Sequence, residues 1–236
     1  MKSYRVRIDG WDFFSEIEVP FLSFEDYVNS VDNMINKEIL KAKEKYSEYQ
    51  NIDEEVRGFL QDPWDEIMLR QKKGLEVIYY DSMIITIYSF VEKKMNFLCR
   101  HLQTDKKIKL RDFSDKGVRK YKNYLEKVLD FDFSKIDNSW SKLLKYGVLR
   151  NFLTHAENAR LISKDTEGKE AIIAFLSMSE GVKISQQNDD TLFEFENNSI
   201  LKNLITISQE ILAELFLIEH ILSDKDEKQL GDKLFE

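Results

Sequence analysis

The sequence predicts a mainly α-helical protein: helices packed as a bundle, a small β-hairpin ahead of the last helix, and a helical extension at the N-terminus. Three observations predict this. Only two prolines and eight glycines interrupt 236 residues. Apolar residues recur at helical spacing over long segments. The period then changes once, between about residues 170 and 196, to short alternating runs. With 42% apolar and 33% charged residues the chain is neither disordered nor fibrous, and at this length it can bury a sizeable core.

Residues 1–22 read as irregular or as a short strand around YRVRI, with Pro20 closing the segment. Ser23 is a candidate N-cap for a long charged helix whose apolar positions are Tyr27, Val31, Met34, Ile35, Ile39 and Leu40. Asp62-Pro63 repeats the start signal, a capping side chain followed by proline at the first helical position. From there, past Gly74, the stretch LEVIYYDSMIITIYSFVEKKMNFLCRHL carries apolar residues on several faces, as a central, buried helix does. A basic loop leads to a helix over GVRKYKNYLEKVLDF. Asn138 or Ser139 then caps a further helix running through Ile162. Ala171 to Met178, Val182 to Ser185 and Thr191 to Phe195 read as a hairpin or three-stranded meander. Asn198 or Ser199 starts the final amphipathic helix. The organisation expected is a 1–70 N-terminal extension with a long charged helix and a 71–236 bundle, with the hairpin inserted at about 170–196.

Composition narrows the chemistry. The single cysteine, Cys99, rules out an internal disulfide and any multi-cysteine zinc site, and reads as a small buried hydrophobe. The N-terminus lacks the apolar core of a signal peptide, and no apolar run is long enough to span a bilayer, so a cytoplasmic protein without membrane contact is expected. There is no phosphate-cradling glycine loop, no GxSxG elbow and no histidine or cysteine cluster of metal-ligand spacing, so neither cofactor nor metal is expected. A net charge of −8 argues against indiscriminate nucleic-acid binding, yet eight cations fall between residues 106 and 122 against two acids. Lys116, Arg119, Lys120 and Lys122 lie beside Tyr121 and Tyr124, a mixture of phosphate-binding cations and stacking rings that suits single-stranded RNA. A solvated loop and helix face with half-buried tyrosines reads equally well from these residues.

The stretch LRNFLTHAENAR, residues 149–160, places one of the chain's three histidines in unusual company. At about 100° per residue, Leu149, Phe152, Leu153 and Ala156 form a core stripe. Asn151, Thr154, His155 and Asn158 fall roughly opposite, with Arg150 at the edge. Asn151 and His155 are four apart, so the amide can orient the imidazole. Arg150 and His155 are about 140° apart around the axis, so a single helix would position them only loosely. The apolar strip Trp140, Leu143, Leu144, Gly147 and Val148 precedes the polar residues on the same side. It asks for a partner, either another helix or a second subunit packed symmetrically so that both arginines and both histidines converge.

Arg150, Asn151, then Phe152, Leu153 and Thr154, then His155 resembles the motif of the HEPN superfamily of helical-bundle ribonucleases. The resemblance extends in outline over residues 74–222 and implies an up-and-down bundle that leaves residues 1–70 and the 170–196 hairpin as additions. It implies a metal-independent endoribonuclease working as a homodimer through the Arg150–His155 helix face. The setting it implies is toxin–antitoxin or antiviral defence, with an inhibitory antitoxin-like partner protein. Catalysis would fall to Arg150, His155 and Asn151. A histidine titrates near neutrality and can take the proton of a ribose 2′-hydroxyl, while a forked guanidinium stabilises the phosphorane. RNA would be left with 2′,3′-cyclic phosphate and 5′-hydroxyl ends. Glu92, on the central helix, would pair with Arg150, polarise His155, or simply mark the wet side. A non-catalytic module of the same fold, binding RNA, nucleotide or a protein partner, is the alternative.

Overall fold

Helix dominates the computed structural model, which describes residues 7–8, 11–12, 14–58, 74–103, 106–155 and 160–234, those before 15 and after 216 by backbone alone. In chain order the elements are β1 (Arg7–Ile8), β2 (Trp11–Asp12), α1 (Val19–Gln50), α2 (Glu54–Arg57), α3 (Glu76–Leu102) and α4 (Gly117–Leu129). There follow α5 (Asp137–His155), β3 (Leu161–Ile162), α6 (Lys169–Ser177), β4 (Val182–Gln187), β5 (Asp190–Phe195) and α7 (Ser199–Leu234). Among the described residues no helix is long and apolar enough to cross a membrane. Asp62, Pro63 and the helix expected after them lie outside the described residues, as do Ala156 and Asn158.

The chain divides into two compact units, the first of Met1–Phe24, Thr86–Gly147 and Leu204–Glu236, the second of Glu25–Ile85 and Val148–Asn203. In the first, Phe21 meets Phe24 and Phe90 edge to face, and Lys94 pairs with Glu16 at 2.7 Å. Val91, Met95 and Leu98 of α3, Leu143 and Tyr146 of α5 and Leu212 of α7 are buried. Cys99 is buried too, which pushes its thiol up to about 12 and leaves it a packing residue. A short 3₁₀ turn, Phe133–Ile136, leads into α5, with the Asp132 carboxylate accepting from the Ser134 N–H at 2.9 Å.

In the second unit β3, β5 and β4 form an antiparallel sheet in that order. Phe193 and Phe195 of β5 are buried while Glu194 between them is exposed, the alternation that two-fold strand geometry imposes. Arg160 pairs with Asp81 at 2.7 Å, and its guanidinium lies over the rings of Phe193 and Phe195. Burial raises the Asp81 carboxyl above its ordinary value, and the neighbouring Arg160 opposes that shift. The Tyr79 hydroxyl donates to the Val28 carbonyl at 3.1 Å.

Several sequence expectations change. Ala171 to Met178 is not a strand but α6: Ile172 and Leu176, four apart, are its buried residues. Gly168, at φ 74°, supplies the left-handed turn that starts this helix. The third strand comes instead from Leu161–Ile162, within the stretch expected to prolong α5, whose described part ends at His155. At the N-terminus a π-helical turn, Phe14–Glu18, runs directly into α1 at Val19, so Pro20 lies inside a continuous helical stretch rather than closing an irregular segment. Ser23 therefore sits within the helix and donates to the Val19 carbonyl rather than capping. The buried positions of α1 are Phe21, Val28 and Ala42, with Val31, Ile35 and Ile39 half-buried, while Tyr27, Met34 and Leu40 are exposed. Ser139 caps nothing; it lies in α5, which begins at Asp137, and its hydroxyl donates to Glu210.

Candidate functional site

α5 carries the arginine and the histidine on its last two turns. Leu149 and Leu153 are buried and fix the helix's orientation, which leaves Asn151, Thr154 and His155 exposed and Arg150 half-buried. The side chains do not join as the four-residue spacing of Asn151 and His155 predicts. Arg150 Nη1 donates to Asn151 Oδ1 at 3.0 Å, so the amide oxygen is engaged by its neighbour rather than by the imidazole. The Thr154 hydroxyl turns back to the Arg150 carbonyl at 2.7 Å. Arg150 Nε is buried and has no hydrogen-bond partner among the described residues.

Asn151 and His155 share one wall of a groove of about 730 Å³ in the second unit, with Val148 and Phe152 beside them. The opposite wall is the loop that follows β3: Ser163, Asp165, Thr166, Glu167 and Gly168. A turn holds that loop, with the Thr166 N–H donating to the Ser163 carbonyl at 3.1 Å and the two hydroxyls 3.2 Å apart. A Cβ on Gly168 would rest 3.6 Å from Val148, so the loop packs directly on α5. Among the described residues the lining holds one histidine and two carboxylates and no cation; Arg150 is not part of it. Sequence reasoning missed this loop because it reads as an ordinary polar connection.

The apolar strip ahead of the motif is covered in part. Trp140 and Leu143 are buried, and a Cβ on Gly147 would meet the Tyr88 hydroxyl at 2.6 Å. Gly147 thus admits an aromatic side chain of α3, while Leu144 and Val148 are half-buried. Glu92 lies at the start of α4, its carboxylate 3.4 Å from where a Cβ on Gly117 would project, which suits an acid near a helix N-terminus.

The basic window also separates. Lys116, just before α4, and Arg119, on it, are exposed, and Lys120 is half-buried. Lys122 is engaged elsewhere: its ammonium lies 5.0 Å from the Phe133 ring centre and 5.6 Å from that of Trp140, and 3.4 Å from the Glu126 carboxylate. Tyr124 is fully buried against Phe113, so it cannot stack on a base. Lys120 and Tyr121 instead line a second groove, of about 670 Å³, in the first unit, together with Asn96, Arg100, Gln103, Lys109 and Arg111. Asn96, Arg100 and Gln103 stand four and three residues apart, a helical spacing that could have marked them as one face.

Among the described residues no group of three or more His, Cys, Asp or Glu is placed to hold a metal ion. No protein-family model, curated protein or solved structure matches the chain.

Proposed function

We propose that the chain is a metal-independent endoribonuclease of HEPN type, with His155 as the proton-transfer group, Arg150 as the phosphate-stabilising cation and Asn151 as an orienting or phosphate-contacting amide. The support is the exposed placement of Asn151 and His155 in one groove at the end of α5, with Arg150 on the adjoining edge of the same helix. A ribose 2′-hydroxyl would give its proton to His155 as its oxygen attacks phosphorus. The bond to the 5′-oxygen breaks, and that oxygen takes a proton to leave as a 5′-hydroxyl, with 2′,3′-cyclic phosphate on the other strand end. The phosphorane's negative charge needs a cation within reach.

Because the groove's own lining carries Asp165 and Glu167 but no cation, that cation has to come from a reoriented Arg150 or from the Arg150 of a second copy packed against this helix end. The homodimer, like a role in toxin or defence systems under the control of an inhibitory protein, belongs to this proposal. The same acidic lining favours a second reading, a non-catalytic HEPN-like module that binds its partner through this groove. Purified protein incubated with RNA in EDTA, beside His155→Ala, separates the two. Cleavage that leaves cyclic phosphate ends and is lost in the variant supports the enzyme. Intact RNA in the presence of folded protein, in both monomeric and dimeric fractions, supports the binding module.

A further inference from the structure

The groove of the first unit gathers four cations from three parts of the chain: Arg100 from the end of α3, Lys109 and Arg111 from the segment before α4, and Lys120 from α4 itself. Among the described residues none of those lining it is acidic. In a chain of net charge −8, such a concentration of positive charge on one concave surface is not a by-product of composition. Two acids of the same unit are engaged in structure. Asp112 accepts from the Lys109 backbone N–H at 2.8 Å and sits 3.9 Å from Arg111 Nε, and Glu92 lies against Gly117.

The groove is also held in shape. Gln103 Oε1 accepts from the Leu110 N–H at 2.9 Å, its carbonyl accepts from Lys109 Nζ at 2.8 Å, and Leu110 is buried. These bonds fasten the basic segment to the end of α3. Asn96 Oδ1 accepts from Arg100 Nε at 3.2 Å, which fixes the plane of the guanidinium and leaves its two terminal amino groups directed away from that bond. Tyr121, half-buried on the same wall, adds an aromatic ring. Its backbone carbonyl is within 3.9 Å of Cys99 Sγ, so its place on α4 is set by the core.

We propose that this groove is a docking site for single-stranded RNA, with successive phosphates on Arg100, Lys109, Arg111 and Lys120 and a base on the ring of Tyr121. This rests on the ribonuclease reading for the identity of the nucleic acid. The volume, about 670 Å³, falls in the range of about 300–1,000 Å³ usual for ligand clefts. The spread of charge across three chain segments suits a run of phosphates better than one terminal phosphate. Lys116, the exposed residue that immediately precedes α4, adds a further cation to the same basic segment. Stacking plus phosphate contact binds a strand with little sequence preference.

The test is fluorescence anisotropy with a labelled twelve-nucleotide single-stranded RNA and full-length His155→Ala protein in EDTA, repeated over a range of salt. Adding Arg100→Gln with Lys120→Gln should weaken binding about tenfold or more and make the salt dependence shallower by roughly 1.4 in log–log slope. Tyr121→Leu should cost roughly tenfold, and Tyr121→Phe should restore it. Lys37→Gln with Lys43→Gln, an equal charge loss on exposed positions of α1, should have little effect. Thermal melts of every variant separate lost binding from lost fold. Equal weakening by the two double variants, or a salt slope unchanged by Arg100→Gln with Lys120→Gln, overturns the groove, as does an unlabelled mononucleotide that competes as strongly as the strand. Binding through the groove without any cleavage by the wild type would keep this site and sink the ribonuclease. Cleavage with unaltered KM in the Arg100 and Lys120 variant would do the reverse.

Discussion

The groove beside His155 and the groove beside Arg100 are nearly equal in volume and opposite in chemistry. One holds an imidazole, an amide, two hydroxyls and two carboxylates; the other holds four cations, two amides and a phenol. A polyanion is drawn to the second and, by charge alone, turned away from the first. The groove with the histidine and the groove with the four cations therefore belong to separate units of this chain. In the proposed function they serve different steps, and substitutions in the two grooves should separate into different kinetic constants.

The largest effect is expected at His155. Replacing it with alanine should lower kcat for RNA cleavage by about 10²–10⁴-fold while leaving RNA binding intact, measured by single-turnover cleavage beside anisotropy. Arg150→Ala should be nearly as severe, about 10²–10³-fold. If the cation comes from a second copy, mixing Arg150→Ala with His155→Ala chains should recover activity that neither has alone; no recovery would place both groups in one chain.

Next comes a substitution that damages one unit selectively. Arg160→Ala leaves Asp81 half-buried without its partner and strips the cation from Phe193 and Phe195, at a cost of about 3 kcal/mol. A melt should fall by roughly 6–12 °C. The sign of the pH effect follows from the raised Asp81 carboxyl. The folded state holds that proton more tightly than the unfolded chain, so the contribution of Asp81 to stability is greatest below its unfolded value near 3.8 and declines as pH rises through the folded one. Asp81→Asn should flatten this decline, as chemical denaturation at several pH values would record.

Smaller still, Arg100→Gln with Lys120→Gln should raise KM about tenfold with kcat little changed. Smallest, Lys122→Gln should alter RNA binding by less than about twofold, because its ammonium is held over Phe133 and Trp140. A large loss at Lys122 would return RNA binding to the α4 face that the sequence indicates and would blur the contrast between the grooves.

Much of the fold was legible because it rests on local periodicity. The start of α4, the start of α7 and the strands β4 and β5, to within two residues, follow from apolar spacing and turn residues. α6 was misread because AIIAFLSM is a contiguous apolar run, which periodicity alone cannot assign to helix or strand; packing of Ile172 and Leu176 decides it. β3, two residues long, is too short to leave a pattern. In the candidate site, Asn151 and His155 were correctly placed on one face, since helical spacing dictates it. The engagement of Lys122, the burial of Tyr124 and the covering of Gly147 by Tyr88 depend on residues far away in the chain, and so did the entry of Arg100 into the cationic groove.

The most direct test of the central claim uses an RNA strand with a single deoxynucleotide at the cleavage position, compared with the all-ribose strand in EDTA. The all-ribose strand should be cut to 2′,3′-cyclic phosphate and 5′-hydroxyl ends while the deoxy-substituted strand stays intact at that position. Cutting of the deoxy-substituted strand there would contradict attack by the 2′-hydroxyl, and with it the role given to His155.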